Sequence, residues 1–182
     1  MAAATTLDVI TIGRSSVDLY GQQIGSRLED IGSFAKSVGG CPSNIAIGTA
    51  RLGLKSGVIT RVGNEQMGRY IKEQMQREGV STRGIVTDPQ RLTALVLLAV
   101  EDEGVSPMIF YRTDCADMAL APEDVDEDFI KSARAIVVMR SYPEVVGPRS
   151  RRGRAHTRRS SRLGWRCDTG GRGQVCTVMV AG

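Results

Sequence analysis

The chain has 182 residues, 41% of them hydrophobic and 24% charged, with a net charge of +4 at neutral pH. That length suits one domain with a real core and is short for two, and the composition is globular rather than fibrous or disordered. No apolar run approaches the roughly 20 residues of a membrane-spanning helix, and Met1-Ala2-Ala3-Ala4-Thr5-Thr6 lacks the pattern of a secretory signal, so a cytoplasmic protein without a membrane partner is expected.

The four cysteines, at 41, 115, 167 and 176, form no C-x-x-C pair, and His156 is the single histidine. No zinc-ligand spacing results, and reduced thiols are expected. Charge is unevenly spread. Residues 140–182 hold ten arginines, no lysine and only Glu144 and Asp168 as acids, a net of +8 against −4 for residues 1–139.

Residues 7–13 (LDVITIG) form a short apolar run ending in glycine, the pattern of a buried parallel strand. Residues 14–20 read as a polar turn, and residues 33–38 as a short half-exposed strand. Gly39-Gly40 breaks that strand, and Pro42-Ser43 suits the first turn of a helix running to Leu52, with Gly53 as its stop. Residues 56–62 give a second core strand. Residues 64–79 give an amphipathic helix with Met67, Tyr70, Ile71 and Met75 at helical spacing. Residues 93–100 and 107–112 form two strands about a turn at 101–104. Pro122-Glu123-Asp124 starts a helix, its acids at the positive end of the dipole. Residues 135–139 (AIVVM) form another buried strand.

Strands alternating with helices argue for an α/β fold with a parallel sheet. The segments near 28–38 and 93–112 break the alternation and suggest a small β subdomain set apart.

Gly39-Gly40-Cys41-Pro42-Ser43-Asn44 is the most informative stretch. Two glycines before a helix let the backbone approach a ligand, the exposed N–H groups of the first turn can donate to oxygens, and Asn44 adds a donor and an acceptor suited to a polyol. By itself the pattern equally describes a tight strand-to-helix turn. Asp18 lies just past the first strand, where ligands sit in open α/β sheets, and could accept two sugar hydroxyls or merely stabilise a turn.

Taken together, Gly39-Gly40-x-x-x-Asn44-x-Ala46, Leu52-Gly53 and Val62-Gly63-Asn64-Glu65-x-x-Gly68, with Asp18 behind Gly13, resemble the first signature of the ribokinase, or PfkB-type, carbohydrate kinases. Within that family, the runs from Gly13 to Gln23 and from Ile109 to Leu120 look like the 5-dehydro-2-deoxygluconokinases of inositol catabolism. The resemblance covers residues 7–139. It implies a ribokinase-like α/β fold, the N-terminal part of a doubly wound, mainly parallel sheet, with a small β lid at about 20–38 and 92–113. It implies that Asp18, Gly39, Gly40 and Asn44 hold sugar hydroxyls, and that Tyr111 and Arg112 face the substrate carboxylate, a role that fits the planar fork of arginine. Arg14 could assist but is not counted among these site residues. A small-molecule sugar acid is the implied partner, and the lid implies a possible homodimer.

In the same family ATP and Mg bind, and the catalytic base lies, in a C-terminal half carrying a motif of the type D-T-x-G-A-G-D. The nearest likeness here, Asp168-Thr169-Gly170-Gly171-Arg172-Gly173-Gln174, has an amide at the place of the base and comes several elements too early for that motif, so it reads as chance. No catalytic residue, ATP site or metal site is therefore expected, and this chain is expected to be a truncated kinase with little or no activity. Residues 140–182 are expected to be unstructured. They read as an out-of-frame stretch, as a basic arm for a polyanion such as nucleic acid, or as a solvated linker, with nucleic-acid binding the less expected partner.

Overall fold

The computed structural model describes residues 6–101, 107–139, 165–169 and 176–181, the last two stretches as backbone. Strand β1 (Leu7–Ile12) is the centre of the main sheet. Strand β4 (Ser56–Gly63) pairs with it in parallel on one side and β8 (Ala133–Met139) on the other, and β5 (Ser81–Asp88) adds in parallel beyond β4. Strand β10 (Cys176–Ala181) pairs antiparallel with β8, and β9 (Trp165–Thr169) pairs antiparallel with β10. The order is β5-β4-β1-β8-β10-β9.

Side chains alternate across this sheet, and each face has its own core. Val58 and Val62 of β4 pack with Ile71 and Met75 of helix α2 (Gln66–Arg77) and Ala46 of helix α1 (Cys41–Arg51). Ile59, one residue out of phase, packs on the other face with Ile10, Ile12, Ile136 and the short helix α3 (Glu127–Lys131) through Phe129 and Ile130. The period of two in β4 is thus the physical basis of a three-layer α/β arrangement.

A second sheet has the order β3-β2-β6-β7. Strand β2 (Ser16–Gly21) pairs antiparallel with β3 (Phe34–Gly39) and parallel with β6 (Ala94–Leu98), which pairs antiparallel with β7 (Met108–Tyr111). This small second β sheet occupies the region of the expected lid and is called the lid below. Val17 and Val38 from its inner rows join the core under α2, and the Tyr70 hydroxyl donates to the Lys36 carbonyl at 3.1 Å.

Four points of the sequence reading are corrected. Residues 16–21 are a strand rather than a polar turn, because Val17 and Leu19 alternate with Ser16, Asp18 and Tyr20 and one face of that ribbon is buried. β5 was unread in the sequence: its polar residues mask a strand whose core contact is made by Ile85. The tail is not wholly without structure, since residues 165–169 and 176–181 are strands; the apolar run 176–181 finds the open edge of β8, where backbone groups need partners. Pro122–Asp124 is a 3-10 turn, and the helix proper begins after Asp126, whose side chain accepts from the N–H groups of Asp128 and Phe129.

Candidate functional site

The loop leaving β1 runs straight into β2, so Asp18 lies over the carboxyl end of the main sheet. Cross-strand register puts Ser37 on one side of Asp18 and Val96 on the other, with Phe110 beyond Val96. Residues directly opposite share a face, so Ser37, Asp18, Val96 and Phe110 form one row across the lid. Asp18 Oδ1 accepts from the Ser16 hydroxyl at 2.9 Å. Burial pushes its carboxyl above the usual range, while the Ser16 hydroxyl and the charge of Arg14 offset part of that rise.

The two glycines are explained by space. A Cβ on Gly39 would stand 2.0 Å from Asp18 Oδ1, so any side chain there would expel the carboxylate. Gly40 caps α1 at φ +94, and a Cβ there would lie 2.3 Å from the Arg14 carbonyl oxygen. The contact between loop and helix is sealed by hydroxyls that the sequence reading missed. Ser15 Oγ and Ser43 Oγ are 2.5 Å apart, and the Thr11 hydroxyl donates to the Pro42 carbonyl at 2.9 Å. Their signal was serine and threonine at strand ends, too common to single out.

Asn44 donates its backbone N–H to the Gly40 carbonyl at 2.9 Å, and its exposed side chain opens on a cleft of about 450 Å³ shared with Lys36, Ser37, Ile47 and Tyr70. Tyr111 pairs with Leu95, which pairs with Val17, so it falls on the lid face opposite Asp18. The structure brings Phe110, not Tyr111, to the side of Asp18. Arg112 is partly buried, and its Nε donates at 2.8 Å to Asp117, which is 1% exposed on the 3-10 turn Ala116–Ala119. That pairing ties the end of β7 to the 3-10 turn that carries Asp117.

Segment 62–68 is structural. Glu65 caps α2 by accepting from the N–H groups of Met67 and Gly68, and its other oxygen accepts from Thr93 N–H at 2.9 Å; the Thr93 hydroxyl in turn accepts from Gly63 N–H at 3.0 Å. Burial would raise the Glu65 carboxyl, but these donors outweigh it and hold it below its usual range. This signature stretch therefore ties the start of β6 to α2.

Chemically, the arrangement offers a carboxylate acceptor, a backbone made close by glycine and the Arg14 guanidinium over Phe110 in the same row: recognition of a hydroxylated anion. Among the described residues no three His, Cys, Asp or Glu side chains are grouped to hold a metal ion, and no step is routed through one. Among them, too, no helix is long and apolar enough to cross a membrane.

Residues 6–155 match the model of the pfkB family carbohydrate kinases. The chain belongs to the PfkB family. This PfkB chain is 39% identical over 133 residues to a 5-dehydro-2-deoxygluconokinase of Geobacillus kaustophilus, covering 72% of this chain and 40% of that protein. An uncharacterized sugar kinase of Pyrococcus horikoshii solved in complex with ATP superposes with a TM-score of 0.65 at 33% identity, over 69% of this chain and 41% of the other. A ribokinase-II-like protein of E. coli, solved with ATP and Mg, superposes with a TM-score of 0.64 at 27% identity, over 70% and 41%. The chain thus spans about two fifths of the length of the relatives it matches. It is a carbohydrate kinase by family, with the ribokinase-like α/β fold.

Proposed function

We propose that residues 7–139 form the sugar-acid-holding part of a kinase that phosphorylates 5-dehydro-2-deoxygluconate from ATP, acting in the cytoplasm on inositol catabolism. Asp18 accepts sugar hydroxyls, the Gly39-Gly40 turn and Asn44 supply further contacts, and Arg112 meets the carboxylate. The observation that carries this reading is the fit of Gly39 under Asp18: a carboxylate is kept partly buried at a strand end, at a cost in desolvation that hydroxyl donors would offset. Tyr111 leaves the proposed set, since its register puts it on the other face.

Phosphoryl transfer needs a base and a phosphate cradle, which this reading assigns to the family's C-terminal half rather than to residues 7–139. ATP and Mg then belong to that half. Calorimetry with 5-dehydro-2-deoxygluconate tests the site: the unaltered chain binds, and Asp18→Ala and Arg112→Ala each weaken binding by about tenfold or more. Equal affinity in all three rejects the site, and substantial turnover by the pure chain in a coupled ATPase assay rejects the division of labour.

A homodimer through the lid is the second reading. β7 is an edge strand whose Met108, Ile109, Phe110 and Tyr111 are each between 44% and 57% exposed, an apolar edge that a second copy would cover. Sedimentation should find a dimer that Ile109→Lys converts to monomer; a monomer at every concentration dismisses it.

A further inference from the structure

We propose that Arg14, stacked on Phe110, joins Arg112 in recognising the substrate carboxylate and sets the site's preference for a sugar acid over a neutral sugar. The inference rests on the reading of the cup around Asp18 and adds to it a second arginine, one whose charge is not already taken by a buried acid.

The two arginines near the lid differ in how their charge is already used. Arg112 is paired to a carboxylate that is 1% exposed, so bringing a substrate carboxylate to it means sharing a guanidinium already neutralised at 2.8 Å. Among the described residues no carboxylate lies within ion-pair distance of Arg14. Its guanidinium instead lies 5.5 Å from the centroid of the Phe110 ring. A ring face holds the plane of the guanidinium while leaving its N–H edge available, the geometry that a bidentate carboxylate needs.

Both partners are fixed where a substrate would sit. The backbone of Arg14 is pinned from below, its carbonyl oxygen lying against Gly40 and accepting from the Ser43 hydroxyl at 3.4 Å. Phe110 stands in the same cross-strand row as Asp18, with Val96 between them, and the charge of Arg14 is felt at Asp18. An anion entering this row with its hydroxyls toward Asp18 therefore meets Arg14 at the lid end. The Arg14–Phe110 contact also bridges the main sheet's loop and the lid's edge strand, so the same stack orders the lid over the ligand.

The test compares two probes by calorimetry: 5-dehydro-2-deoxygluconate, and the neutral compound in which its carboxylate is replaced by a hydroxymethyl group. Arg14→Gln should weaken the acid by about tenfold or more and leave the neutral probe within about twofold, while Phe110→Leu weakens the acid less. Arg14→Lys, which keeps the charge and loses the fork, should fall between and guards against a folding defect in the glutamine variant. An acid affinity unchanged by either Arg14 substitution, or an equal loss for both probes, overturns the inference. If Asp18→Ala still weakens both probes in that event, the cup reading stands without it; if Asp18→Ala changes neither, or the unaltered chain binds neither probe, both fall.

Discussion

Asp18 is held in a state that a ligand would relieve. Burial raises its folded-state pKa above the unfolded value of 3.8, so the folded chain holds that proton more tightly. The associated stability is fully present below the unfolded value and is lost as pH rises through the raised one. Hydroxyls donating to the ionised carboxylate favour the charged form and pull the pKa back down, so sugar-acid binding should release protons. Calorimetry in two buffers of different ionisation heat reads that release directly, and Asp18→Asn should abolish it; an unaltered proton count in the variant assigns the release elsewhere. At this scale the sequence was informative where sterics alone decide, as for Gly39 and Gly40, whose neighbours leave no room for Cβ. It was misleading between Phe110 and Tyr111, because choosing the inward residue of a strand needs the register, and a shift of one reverses the answer.

The carboxyl ends of β4 and β5 are joined by charge. Arg61 on β4 donates to Asp88 at the end of β5 at 2.9 Å and reaches both oxygens of Asp124 on the turn before α3. Asp88 is 1% exposed and also accepts from the N–H groups of Gln90 and Arg91. Burial alone would raise its carboxyl, but these donors and the Arg61 guanidinium bring it from 3.8 to about 2. Its lowered pKa contributes about 2 kcal/mol that is present above the unfolded pKa and lost as pH falls through about 2. Asp88→Asn should therefore lower stability at neutral pH by roughly that amount and flatten its decline between about pH 4 and about pH 2, read as urea midpoints across pH. A variant with the original midpoint and acid slope would show that Arg61 is satisfied without Asp88. None of this was legible in the sequence: a polar-looking β5 takes its place from a parallel neighbour and from an arginine 27 residues away.

At the scale of the molecule, two sheet edges decide behaviour. β8 would be a bare apolar edge if the chain stopped at Met139, yet β10 pairs along it from Met139 to Ala135 and β9 covers β10 in turn. Removing residues 140–182 should therefore increase aggregation, since an open, apolar, parallel-sheet edge is a template for another chain. Light scattering and thermal melts of the shortened chain against the full one check this, and a monomer as soluble and as stable as the full chain would deny the two strands that role. The sequence did not show that 176–181 reaches this edge, because its partner lies 37 or more residues upstream and no local pattern specifies that pairing.

What the amino-acid sequence determined by itself is what short-range physics controls. Buried strands and amphipathic helices followed from periodicity, the turn into α1 from Gly39-Gly40 and Pro42, and the PfkB kinship from those residues at their spacing. Tertiary structure alone decided which aromatic faces Asp18, which arginine is already neutralised by a buried acid, and where the last strands dock. Each of these depends on groups brought together from distant parts of the chain, where burial and opposing charge set the energies and sequence distance carries no information.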